Sequence, residues 1–421
     1  MRSKRLRVAL SIVAACVMTM LAAESVQGQT YGVLYSFTGG SDGAYPNAVI
    51  KDAKGNIYGT TSAGGSGSAC EMGCGTVFKL SSNGKETVLY SFKGGADGAS
   101  PYAGVIQDAQ GNLYGTTYYG GDIACPGGCG TVFKLSKTGK ETILYRFKGG
   151  ANGENPITGV IQDVEGSLYG TSILGGDTTC VGGCGTVFKL NKTGKLTVLH
   201  RFTGGADGYG PDAVILDAKG NLYGTAGFGG ALSCGQSVGC GTVFKLSKTG
   251  MFAVLYTFTG GADGANPNSG VILDRQGNLY GTTYDGGRSA CNSGCGTVFK
   301  LSARGRQAIL YSFQGPPDGL GPEGGVARDA DGSFYGTTYR GGYVSCADNE
   351  QCGTVFEVSK TGEESVLYRF CSAYLCADGT EPIAGVIQDS NGNLYGTTAF
   401  GGDLDCGVED SGCGVVFRLT L

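Results

Sequence analysis

The sequence predicts an all-β protein, a single seven-bladed β-propeller with four antiparallel strands per blade. Three observations predict it. The stretch Gly111-Asn112-Leu113-Tyr114-Gly115-Thr116-Thr117 is written seven times, with its tyrosine at Tyr58, Tyr114, Tyr169, Tyr223, Tyr280, Tyr335 and Tyr395, in steps of 56, 55, 54, 57, 55 and 60 residues. A period of this size marks a repeat architecture. Each period holds four short segments rich in β-branched and aromatic residues, bounded by Gly, Asp or Asn and without helical periodicity. The chain ends are also complementary: the first strand, Val33 to Phe37, has the sequence type of a fourth segment, and the last, Gly414 to Leu419, that of a third.

Taken in order, residues 1–28 read as a secretory signal peptide. Arg2, Lys4, Arg5 and Arg7 precede an apolar run from Val8 to Ala23, and Val26-Gln27-Gly28 offers small residues for cleavage. Cys16 closes a lipobox-like Val13-Ala14-Ala15-Cys16, but the apolar run continues past it, so release after Gly28 ranks above lipid anchoring. The mature chain then carries 27 basic and 34 acidic side chains, a net of −7. That balance, with no basic stripe, argues against nucleic acid, and no later apolar segment is long enough to span a membrane. The 81 glycines accompany 41% hydrophobic residues, so they read as turn punctuation in a strand-rich fold rather than as disorder.

From residue 29 onward the second copy sets the pattern: Gly104 to Asp108, Asn112 to Thr117, Gly130 to Leu135, and Thr142 to Phe147. Asp108 to Asn112 and Ser136 to Lys140 read as hairpin turns. A solenoid coil would need a shorter period, and separate units of this size would bury too little surface to stand alone. The seventh blade lacks its own outer strand, and Val33 to Phe37 is available to supply it, which removes an open ring edge. The count is 28 strands in one domain, residues 29–421. Connections after the first and third strands share one rim. Those after the second and fourth share the opposite rim, are longer and more varied, and are where function is expected.

The pattern Tyr-Gly-Thr-Thr-x-x-Gly-Gly (Tyr114 to Gly121), followed by Gly-Thr-Val-Phe-Lys-Leu (Gly130 to Leu135), with Val-Leu-Tyr-Ser-Phe (Val88 to Phe92), resembles the GloVer tandem-repeat family of secreted bacterial proteins. The resemblance spans essentially the whole mature chain. It implies an exported repeat protein, often carrying a C-terminal surface anchor, with no established activity and no catalytic residues to carry over. This chain stops at Leu421 without a sorting tail, so release is expected.

Cysteine is the strongest chemical signal. Beyond Cys16, seven pairs fall just before the third strand: Cys70/Cys74, Cys125/Cys129, Cys180/Cys184, Cys234/Cys240, Cys291/Cys295, Cys346/Cys352 and Cys406/Cys413, with Cys371/Cys376 an eighth pair. In an exported chain an even count reads as disulfides rather than zinc thiolates, each short loop contributing about 2 kcal/mol. His200 is the only histidine and stands where sister strands carry Tyr145 and Tyr368, so no Ser-His-Asp, Cys-His or His-ligated metal site can be built from another. The Asp-Gly series (Asp42, Asp97, Asp207, Asp263, Asp318, Asp378, with Asn152 in the third copy) suggests calcium but reads better as turns, which lack the oxygens an ion needs. The series Asp52, Asp108, Asp163, Asp217, Asp274, Asp329 and Asp389 reads as structural too. No cofactor is predicted, and calcium in the channel stays open.

Positions that break the repeat are the candidate ligand-binding residues: Tyr118, Tyr119, Glu154, Phe228, Tyr284, Tyr339, Arg340, Glu381 and Phe400. Aromatic rings beside polar groups suit a sugar- or peptide-binding rim. The expectation is a secreted or periplasmic monomer that binds an extracellular carbohydrate or protein without catalysis. Two alternatives stand beside it. A carbohydrate-active enzyme would use Asp122, Glu154 and Asp177, or Glu381, Asp403 and Asp405, as paired carboxylates. A purely structural envelope or matrix component would need no site.

Overall fold

A computed structural model describes residues 29–231, 234, 238–288, 291–342, 352–406 and 411–421. The signal peptide, Cys16 and Cys346 lie outside these residues. Seven antiparallel sheets form the ring. Blade 2 shows the plan, with strands Ile106–Gln107, Leu113–Thr117, Thr131–Leu135 and Glu141–Arg146 running from axis to periphery. In blade 7, Thr30–Ser36 pairs with Val415–Thr420, Thr30 opposite Thr420 and Ser36 opposite Val415, so the N-terminal strand closes the ring as the chain ends implied.

The described residues hold 29 strands rather than 28, because the innermost strand of blade 1 is split into Ala44–Pro46 and Ile50–Lys51. Blades 2, 3, 5, 6 and 7 reduce that strand to two residues, whereas blade 4 runs it unbroken over Tyr209–Leu216. A sequence difference accompanies the two-residue form. Gly104, Gly159, Gly270, Gly325 and Gly385 interrupt the segment in the five blades, and blades 1 and 4 lack the glycine. The blades crowd each other at the axis: a Cβ on Gly104 would lie 2.4 Å from the Ala48 carbonyl oxygen, and one on Gly385 2.5 Å from that of Gly325.

The core is a repeated inter-blade contact. A fully buried phenylalanine at the end of each fourth strand meets, edge to face, the third-strand phenylalanine of the next blade. Phe37–Phe78, Phe92–Phe133, Phe147–Phe188, Phe202–Phe244, Phe258–Phe299, Phe313–Phe356 and Phe370–Phe417 have ring centroids 5.0–5.2 Å apart. Such geometry adds about 0.5–1.5 kcal/mol per pair beyond buried area.

Every residue of the repeated motif has a task in this packing. Tyr114 donates to Asp108 Oδ2 at 3.0 Å, with the Lys134 ammonium 5.4 Å from its ring centroid. Gly115 leaves room for Phe133, whose Cζ would stand 2.7 Å from any Cβ there. Thr116 donates to the Thr158 carbonyl of blade 3 at 2.8 Å, and Thr117 shares a 2.8 Å hydrogen bond with Thr131. The first of these threonine links recurs from Thr60 to Ala103, Thr225 to Ser269, Thr282 to Gly324, Thr337 to Ala384 and, across the closure, Thr397 to Asn47. No helix among the described residues is long and apolar enough to cross a membrane.

Candidate binding rim and channel mouth

The rim built from second-to-third and fourth-to-first connections is braced by disulfides. Cys70–Cys74, Cys125–Cys129, Cys180–Cys184, Cys234–Cys240, Cys291–Cys295 and Cys406–Cys413 each close the loop before a third strand, and Cys371–Cys376 closes the inserted loop before blade 7. Seven of the eight expected bridges are thus in place among the described residues. The Cys346/Cys352 pair departs from that set, because Cys346 lies outside the described residues. Its other half, Cys352, is described: it is buried just before the third strand of blade 6 and is disulfide-bonded. Each of the first six bridges sits beneath a glycine of the neighbouring fourth-to-first connection. A Cβ on Gly39 would lie 2.6 Å from Cys413 Sγ, and one on Gly204 2.5 Å from Cys180 Sγ. The bridges therefore couple the two kinds of loop on this rim.

The Asp-Gly carboxylates are occupied by their own turns. Asp97 accepts the Lys93 N–H at 2.7 Å and the Tyr90 hydroxyl at 2.6 Å, and Asp42, Asp263, Asp318 and Asp378 have matching partners. His200 takes the tyrosine's place, its Nε2 3.2 Å from Asp207 Oδ2 and its ring stacked on Phe252 at 3.6 Å.

The rim residues expected to bind fall into four neighbourhoods. Tyr118 and Tyr119 meet edge to face at 4.6 Å, with Tyr102 5.3 Å from Tyr118. Glu154 lies beside them, its carboxylate 2.6 Å from Cys125 Sγ, and burial raises its pKa. Phe228, stacked on Tyr209 at 5.1 Å, and Tyr284 face one groove. Tyr339 donates to Glu381 Oε2 at 2.7 Å, and the Arg340 guanidinium lies 5.2 Å from the Tyr339 ring centroid. Phe400 meets Tyr45 edge-on at 5.1 Å. Glu381 is buried, and burial raises its pKa against the opposing pull of Tyr339 and Arg340.

Three of the acids of the enzyme alternative serve local roles. Asp122, Asp177 and Asp403 accept the backbone N–H two residues on, from Ala124, Thr179 and Asp405, each at 3.0 Å. They are loop caps repeated in sister blades.

Two cavities lie on this face. The larger, about 660 Å³, is a groove between blades 4 and 5 walled by Phe228 and Tyr284, with Asn266, Asn268, Asp285 and Arg288 among its polar groups. Burial pushes Asp285 up to about 6. The second, about 370 Å³, is the axial channel, lined by the innermost segments of all seven blades. At its mouth stand Asn47, Tyr102, Ile157, Asp212, Asn268, Glu323 and Ile383, the residue after each loop proline. Asn268 lines both cavities.

Sequence reasoning missed this ring by one column. The positions it weighed lie one or two residues before each proline, Glu154 and Glu381 among them, and the residue directly before the proline is left-handed in all seven blades: Tyr45, Ser100, Asn155, Gly210, Asn266, Gly321 and Glu381 have φ between 52° and 63°. Variation there answers a backbone demand met by Gly and Asn at four of the seven positions. The column after the proline carries seven side chains of widely different chemistry between repeated neighbours, and that contrast was the available signal.

The sequence family described as the Gloeobacter/Verrucomicrobia repeat matches residues 20–182, 123–289 and 228–421. No curated protein matches the chain. Among solved structures, the extracellular domain of BT4673 from B. thetaiotaomicron is similar at a TM-score of 0.56 and 10% identity, over 92% of this chain and 39% of that one. The chain thus spans well under half of that structure. A gluconolactonase from Xanthomonas campestris aligns at a TM-score of 0.41 and 14% identity, over 74% of this chain and 83% of that one.

Proposed function

We propose, from the premise that this chain belongs to the Gloeobacter/Verrucomicrobia repeat family, that it is a non-catalytic extracellular binding protein that holds a carbohydrate in the groove between blades 4 and 5. The groove carries the reading. Two aromatic rings, Phe228 and Tyr284, stand on a cleft of about 660 Å³ beside the hydrogen-bonding groups of Asn266, Asn268 and Asp285. Sugar rings offer apolar faces for stacking and edge hydroxyls for carboxylates and amides, and a cleft of this volume is in the range of small-ligand sites. Disulfide bracing and the absence of a membrane-crossing helix among the described residues fit an extracellular setting. The loop-capping roles of Asp122, Asp177 and Asp403 support binding over hydrolysis.

Thermal unfolding of residues 29–421 against a panel of oligosaccharides is the primary test, because a ligand that prefers the folded state raises the midpoint. A saturable rise with at least one oligosaccharide is expected, with affinity lost by about tenfold or more in Phe228→Ala/Tyr284→Ala. Undiminished binding by that double variant, or no response to any saccharide, would overturn the reading.

A further inference from the structure

We propose that the channel mouth recognises a protonated primary amine on the bound carbohydrate, so that the preferred ligand is an amino sugar with a free ammonium group. This rests on the groove reading above and names the ligand class for it.

Three consecutive blades place an acceptor at the mouth: Asp212 on blade 4, Asn268 on blade 5 and Glu323 on blade 6. Each follows a proline that is itself preceded by a left-handed residue, Gly210, Asn266 or Gly321. What differs is the side chain, and these three form one arc of a ring whose other members are Asn47, Tyr102, Ile157 and Ile383. An ammonium group offers N–H donors and no acceptor, which suits a mouth that presents acceptors.

The charge balance of the cavity points the same way. Its lining holds two carboxyl groups and no Lys, Arg or His. Asp212 Oδ1 accepts the Ala213 N–H at 2.7 Å, and its second oxygen has no protein donor among the described residues. Burial pushes Asp212 up to about 7, with Glu323 adding to the shift. Burial also raises Glu323, with Glu381 reinforcing and Arg340, on the rim beside it, opposing. Half-buried carboxyls pressed toward the neutral form gain from a cationic partner that enters with the ligand.

A metal ion suits the mouth less well. Asp212 and Glu323 are separated by a whole blade, and among the described residues the one trio of potential ligand atoms close enough for an ion is Cys125, Cys129 and Glu154. The two cysteines of that trio are joined in a disulfide. An amino-sugar oligomer carries one ammonium per ring, so it can meet two carboxyls set a blade apart where a single ion would not. Because Asn268 lines both cavities, a saccharide stacked on Phe228 and Tyr284 can present its substituent to the mouth.

The test compares two ligands of equal length by calorimetry at pH 6–8: a β-1,4-linked glucosamine tetramer and the same tetramer fully N-acetylated, which keeps the rings and removes the charge. The free-amine tetramer should bind about tenfold tighter. Asp212→Asn/Glu323→Gln, which preserves side-chain shape, should bring the two tetramers to within about twofold of each other. Phe228→Ala/Tyr284→Ala should lose both. Equal binding of the two tetramers by the unaltered protein overturns the amine inference and leaves the groove standing. A preference that survives in Asp212→Asn/Glu323→Gln also overturns it. Binding of neither tetramer overturns the amine inference, and the groove reading then falls or stands on the wider saccharide panel.

Discussion

The two rims of this propeller solve the same problem by different means. On the short-turn rim, side chains satisfy the backbone. Asp108 Oδ1 accepts the N–H groups of Gln110 and Asn112, while Oδ2 accepts the Asn112 amide and the Tyr114 hydroxyl. The arrangement recurs at Asp52, Asp217, Asp274 and Asp389. On the loop rim, glycines in left-handed conformations and disulfides turn the chain, as at Gly120, Gly121 and Cys125–Cys129. Where side chains are consumed by the turn, the repeat is nearly invariant. Where glycine and cystine do that work, the remaining side chains vary and face solvent or a cavity. The loop rim is therefore the place where seven copies of one unit can differ without loss of the ring.

That contrast can be broken most directly through stability. Phe133→Ala empties a fully buried site between blades 2 and 1 and should cost about 3–5 kcal/mol in urea unfolding. Tyr119→Ala, at a position 38% exposed on the loop rim, should stay within about 0.5 kcal/mol. Comparable losses would show that the loop rim is as structural as the strands. A smaller effect separates the two rims themselves. Asp108→Ala leaves four donors without their acceptor and should cost about 2–3 kcal/mol, whereas Asp122→Ala removes the acceptor of one loop N–H and should cost about 1 kcal/mol or less.

Much of the fold was legible because each blade repeats the same local demands: the turn aspartate, the motif tyrosine, the Thr-Val-Phe-Lys-Leu strand. The ring closure was readable from the types of the first and last strands. The shortening of the innermost strand was less so, since it goes with glycines such as Gly104 and Gly385 that pack against the backbone of a neighbouring blade. The candidate rim aromatics were found, but their grouping was not. Phe228 and Tyr284 lie 56 residues apart and share a groove only because blades 4 and 5 are adjacent. Asp212 and Glu323 were missed because no single repeat shows that the residue after the proline points to the axis. Nor does one repeat reveal that Glu86, Glu141 and Glu364 each approach an aspartate of the preceding connection, since their sister positions hold Tyr31, Leu196, Phe252 and Gln307.

Those three glutamates give the finest test of the comparison, because their pH response opposes that of the short-turn rim. Asp52, Asp108, Asp217 and Asp274 have pKa values below the ordinary 3.8: burial works upward, but hydrogen bonds from the turn outweigh it. Their stabilisation is present above the unfolded pKa and is lost as pH falls through the folded one. Glu86 and Glu141 are pushed up to about 7, first by burial and then by Asp42 and Asp97 respectively, with Arg146 partly offsetting the second. Glu364 is pushed up to about 8 by burial and Asp318, with Arg369 opposing. Glu86 and Glu141 each have a buried carboxyl oxygen, Oε1, with no hydrogen-bond partner, and the Glu364 carboxyl meets that of Asp318. For these acids the folded state holds the proton longer than the unfolded chain. Their contribution is therefore full below about pH 4.5 and is lost as pH rises through 7 to 8. Partial exposure screens the effect to on the order of 1 kcal/mol per pair. Thermal midpoints of Glu86→Gln/Glu141→Gln/Glu364→Gln should decline less between pH 5 and pH 8 than those of the parent, with a residual slope from Asp212 and Asp285, which burial also raises. Parallel curves for the two proteins would mean that the inter-blade carboxyl pairs release their protons without cost to the ring.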